Sequence, residues 1–122
     1  SLFTKMEAIL NYINGSLVAP ASGNYLDNVN PATGKVFTQI PDSDEKDVHL
    51  AVDAAQGAFE HWANMAVEKR QAILLKIADL IDRDLAALAM AESEDQGKPV
   101  KLATVVDIPR ASANIRFFAT GI

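Results

Sequence analysis

Ile73, Ile77, Leu80, Ile81, Leu85 and Leu88 recur at three- and four-residue intervals between Ala66 and Gln96, and neither proline nor glycine interrupts the run. That spacing puts one apolar stripe along a helix. At 1.5 Å per residue such a helix is roughly 45 Å long, more than a compact globule of 122 residues needs. Its start is weakly specified, because Ala66 has no capping side chain and Asn64 must serve if any residue does. Its end is strongly specified. Gly97 can turn left-handed after the last turn, and Pro99 cannot continue the helix.

The elements around this run follow from turn chemistry. Residues 12–40 read as short extended pieces: "YINGSLV" with a hairpin-forming Asn14-Gly15, then "YLDNV", then "KVFTQI" after the Asn30-Pro31-Ala32-Thr33-Gly34 turn. Three short strands in hairpins are predicted. Asp42 and Glu45 resemble a capping box after Pro41, opening a helix over about 43–62 striped by Val48, Ala51, Val52, Ala55, Ala58, Phe59 and Trp62. With the long helix over about 66–96, a third pattern follows over about 99–119. Pro99 suits its first turn and Pro109 predicts a kink or break near Ile108. The predicted class is α+β, mostly helical, with residues 1–122 as a single unit; Ser1 and Leu2 are left out of the fold reading.

Charge and composition narrow the function. A net charge of −5 argues against nucleic acid, which needs clustered Lys and Arg to displace counterions. No apolar run approaches the roughly 20 residues that cross a bilayer, and no signal-peptide pattern is present, so the expected location is the cytoplasm. With no cysteine, these residues supply no disulfide, no thiolate ligand and no cysteine nucleophile.

Few residues carry a chemical pattern. No glycine-rich phosphate loop and no metal-spaced cluster occurs. His49 and His61 stand twelve apart on one helix and read as surface or satisfied histidines. Glu92, Glu94 and Asp95 crowd a helix C-terminus, where the dipole disfavours negative charge. A solvated acidic turn is the plain reading, and an acid/base pair the alternative. Asp107, Arg110 and Asn114 share a helical face at i, i+3 and i+7. Either Asp107 and Arg110 form a surface ion pair, or Arg110 offers its planar fork to a ligand carboxylate. Phe59, Trp62, Phe117 and Phe118 read as core or interface.

Four phrases in order, "YINGS", "NVNPATGKVFTQIPDSDEKDVHLAVDAAQGAFEHWANM", "EKRQAILLKIADLIDRDLAALAMAESEDQGKP" and "DIPRASANIRFFATG", resemble the N-terminal part of aldehyde dehydrogenases. The resemblance implies a parent enzyme that oxidises aldehydes to acids with NAD or NADP, through a cysteine thiolate, hydride transfer and thioester hydrolysis. It places the cysteine, the base, the oxyanion-hole asparagine and the cofactor loop outside these 122 residues. No catalytic or cofactor-binding residue is therefore assigned here, and the chain by itself is expected to be inactive.

Within the matched part, the resemblance implies a monovalent-cation site using the carbonyls of Asn28 and Val29 and the carboxylate of Asp95. It also implies a substrate-tunnel mouth along the helix from Asp107 to Phe118. "DQGKP" with "DIPRASANIRFFA" is most similar to the hydroxymuconic and aminomuconic semialdehyde branch, in which the matching arginine anchors a substrate carboxylate, so Arg110 is the candidate binding residue. Helical stripes left exposed without the rest of the parent enzyme predict self-association, through helices or strands, or marginal stability. The rival reading is a stand-alone interaction module that binds a partner, or itself, without catalysis.

Overall fold

Asn14, at φ 52, and Gly15, at φ 80, both adopt the left-handed conformation that a two-residue hairpin turn requires. The turn therefore divides "YINGSLV" into two strands, β1 (Asn11–Ile13) and β2 (Ser16–Val18), paired antiparallel. Among the described residues, four strands thus replace the predicted three. β3 (Tyr25–Asn30) and β4 (Lys35–Pro41) form a second, separate hairpin. Its turn is closed by the Ala32 N–H donating to Asn30 Oδ1 at 2.9 Å and the Gly34 N–H donating to the Asn30 carbonyl at 2.8 Å. Asn28 faces Thr38 but Val29 faces Val36, so Phe37 bulges from the ladder at that point.

The computed structural model describes residues 7–121, and Ser1 and Leu2 lie outside the described residues. The chain divides into two compact units, Ser1–His61 and Trp62–Ile122.

Helix α1 (Glu45–Ala63) starts in the first unit, with a capping box two residues later than predicted. Asp44 Oδ1 accepts from the Lys46 N–H at 2.9 Å, and Asp47 Oδ2 accepts from the Asp44 N–H at 3.0 Å. The helix starts after Asp44, so Asp44 and Asp47 hold the cap positions that Asp42 and Glu45 were expected to hold. Asp42 instead donates its N–H to the Asn24 carbonyl. Asp47 is 4% exposed, and its other oxygen accepts from the Ala21 N–H at 2.8 Å, tying the loop after β2 to the helix start.

The second unit is helical. The predicted 66–96 helix is two helices, α2 (Val67–Arg83) and α3 (Leu85–Gln96), divided at Asp84. Asp84 lies at φ −98, ψ 16, and both its carboxylate oxygens are taken by the Arg83 guanidinium at 3.0 and 2.9 Å. Aspartate is a weak helix former, and that ψ interrupts the helical geometry for one residue. α2 opens at Ala66 without a side-chain cap, and α3 closes on Gly97 at φ 80.

After Pro99 come a single turn α4 (Val100–Leu102), a π-helical turn over Ala103–Asp107, and α5 (Ile108–Thr120). The helix runs through Pro109 without breaking. The perturbation falls one turn earlier, where the Ile108 N–H donates to the Ala103 carbonyl five residues back. Proline lacks the N–H that would extend an ordinary ladder, and the widened turn absorbs that loss.

Small residues make the contacts of this unit. α5 packs on α2 and the π turn packs on α3, and the fully buried apolar side chains are Ala78, Ala89, Ala103 and Ala119, with Ser112 also buried. Small side chains let helix axes approach closely. The stripe residues expected inside are partly exposed: Ile73, Ile77, Leu80 and Leu88 in the second unit, and Val48, Val52 and Phe59 on α1. Phe117 and Phe118, edge to face with each other at 5.2 Å, are both about two-thirds exposed.

Arg116 of α5 clamps α2, donating from Nη2 to Asp79 Oδ1 at 2.7 Å and Asp82 Oδ2 at 2.6 Å. Hydrogen bonds from the Ser112 hydroxyl and then from Arg116 hold the Asp82 carboxyl below its ordinary value of 3.8. A depressed carboxyl stabilises the fold above its unfolded pKa, and that contribution disappears as pH falls through the folded value. Arg116→Met is therefore expected to lower the thermal midpoint modestly at pH 7, and the difference from the parent chain to shrink as pH falls through the depressed Asp82 value. Calorimetry across the acid range checks this.

Candidate functional site

The start of α5 brings together the residues with the most chemical content. Asp107 ends the π turn and Arg110 follows one helical turn later. The spacing allows them to pair, but the Asp107 carboxylate faces Lys98: Nζ lies 2.7 Å from Oδ2, with side chains 28% and 26% exposed. The contact is a close charge pair without hydrogen-bond alignment, since that oxygen has no aligned donor. Arg110 is exposed and, among the described residues, no carboxylate pairs with it. Asn114, one turn further, is exposed as well. Of the two readings of Asp107 and Arg110, the ion pair is not formed.

Asn28 and Val29 stand on β3 of the first unit, at the bulge, and Asp95 stands on α3 of the second. Glu92 accepts from the Gln96 side-chain amide one turn on, while Glu94 is exposed. His49 pairs with Glu45 at 3.2 Å on the α1 surface, and His61 is exposed. Among the described residues no group of three or more His, Asp or Glu is arranged to hold a metal ion, and no helix is long and apolar enough to cross a membrane.

An open groove of 240 Å³ in the first unit is lined by Asn11, Tyr12, Ile13, Ser43, Asp47, Val48 and Ala51. Its one carboxylate, Asp47, spends both oxygens on backbone N–H groups. The groove therefore has no free carboxylate to offer a substrate.

Sequence reasoning missed Lys98 and Asp47. Nothing periodic links Lys98 to Asp107, nine positions away across a helix stop. Asp47 had a signal, an acid three residues after Asp44, which the earlier Asp42 and Glu45 pair concealed.

Comparison with known proteins gives the context for this site. Residues 17–122 match the profile of the aldehyde dehydrogenase family. The chain is 43% identical over 112 residues to 2-aminomuconic semialdehyde dehydrogenase of Bos taurus, covering 92% of this chain and 23% of that protein. It is 47% identical over 109 residues to acetaldehyde dehydrogenase 2 of Cupriavidus necator, covering 89% and 22%. The NAD+ complex of a Bacillus cereus aldehyde dehydrogenase superposes with a TM-score of 0.90 at 37% identity, covering 93% of this chain and 24% of that one. The chain thus spans under a quarter of the length of these relatives and matches their N-terminal part. With the profile covering most of its residues and the fold shared, the chain belongs to the aldehyde dehydrogenase family.

Proposed function

We propose that the complete protein carrying this chain is an NAD-dependent aldehyde dehydrogenase that oxidises an aldehyde bearing a carboxylate, of the muconic semialdehyde type, with Arg110 receiving that carboxylate. The observation that carries the reading is that the exposed Arg110 has no carboxylate partner among the described residues, because Lys98 occupies Asp107. A guanidinium is always charged, and its rigid fork matches a carboxylate with two parallel hydrogen bonds. Bound that way, the substrate would be held by its inert end and oriented.

NAD accepts the hydride in this family, and no residue of the 122 is assigned to it, since the chain contains no glycine-rich phosphate loop. The 122 residues alone are proposed to be inactive. The family match favours this reading over a stand-alone interaction module. A monovalent cation in the complete protein belongs to the same proposal. So do a cytoplasmic location and a homo-oligomeric parent.

The complete gene product, given NAD and 2-hydroxymuconic semialdehyde, is expected to produce NADH, and the 122-residue chain none. Turnover by the short chain, or none by the complete protein, would overturn the reading.

A further inference from the structure

We propose that Lys98 is a specificity-determining positioning residue: by holding Asp107, it keeps that carboxylate off Arg110 and leaves the guanidinium available to a carboxylate-bearing substrate. The inference rests on the reading of Arg110 given above. Three observations carry it.

Asp107 and Arg110 are three residues apart at the junction of the π turn and α5, within mutual reach on one helical face. Lys98 approaches Asp107 at 2.7 Å, and both side chains are about three-quarters covered. The backbone of Lys98 is also fixed from both sides. Gly97 turns left-handed at φ 80 to end α3, and Pro99 follows at φ −55, which confines the residue before it to extended conformations. The ammonium is thus delivered by a rigid corner, whereas Arg110 reaches outward from an exposed helical face. One carboxylate between two cations is held by the better-fixed one, and a positive charge remains at the start of α5.

The test uses the complete gene product and two substrates, 2-hydroxymuconic semialdehyde and hexadienal, an uncharged dienal of the same chain length. In Lys98→Met, Asp107 turns to Arg110, and kcat/KM for the acid substrate falls about threefold to fivefold, the range of an exposed charge pair. The value for hexadienal stays unchanged. Adding Asp107→Asn to Lys98→Met restores the acid substrate, and Lys98→Arg retains the parent preference. A purely structural role would slow both substrates together and resist rescue by Asp107→Asn, which overturns the inference. If Arg110→Met removes the acid preference while Lys98→Met does not change it, Lys98 is set aside and Arg110 stands. If Arg110→Met leaves the preference intact, both fall. Thermal melting of each variant verifies that it is folded.

Discussion

Asp47→Ala lowers folding stability by about 2–3 kcal/mol, as expected when a buried carboxylate that satisfies two backbone donors is removed. One oxygen takes the Ala21 N–H at 2.8 Å and the other the Asp44 N–H at 3.0 Å, with the residue 4% exposed. Loss of the capping contact alone is worth about 1 kcal/mol. The remainder is the cost of leaving the Ala21 N–H, in the loop between β2 and β3, without its acceptor. Asp47→Asn keeps one carbonyl oxygen and should lose about half as much. Urea denaturation, with the slope held common to the variants, measures both. A loss under about 0.5 kcal/mol for the alanine variant would place Asp47 among ordinary surface residues.

Arg110→Met in the complete gene product raises KM for 2-hydroxymuconic semialdehyde about tenfold to hundredfold, the range of a charge-assisted pair expressed as affinity. Because the carboxylate is distant from the reacting carbon, the contact is the same in ground and transition states, so KM moves more than kcat. Hexadienal, which has no carboxylate, should be processed at the parent rate. Arg110→Lys retains the charge but not the fork, and recovers only part of the loss. Equal effects on the two aldehydes would mean that Arg110 supports α5 rather than meeting the substrate.

The fold was legible where one residue type enforces one conformation. Asn14-Gly15, Gly97 and Pro99 mark turns that the structure places where the sequence puts them, because positive φ and a missing N–H leave few alternatives. Periodicity located the helices but not their interruptions. The break at Asp84 depends on one ψ angle, and Pro109 displaced its disturbance into the preceding π turn instead of ending the helix. Burial was read least well. A stripe of Ile and Leu announces an apolar face but not what it meets, and among the described residues of the second unit the buried positions are alanines and a serine. At the candidate site, spacing identified Asp107 and Arg110 as neighbours. Only the folded corner at Gly97 to Pro99 reveals the third charge that decides between pairing and availability.

The most direct test of the central claim is an internal competition: the complete gene product and its Arg110→Met variant, each given NAD and an equal mixture of 2-hydroxymuconic semialdehyde and hexadienal. The ratio of consumption reports the ratio of kcat/KM values within one reaction. The parent enzyme is expected to consume the acid substrate first, and the variant to lose that preference by about tenfold or more. An unchanged ratio in the variant would contradict the assignment of Arg110 to the substrate carboxylate.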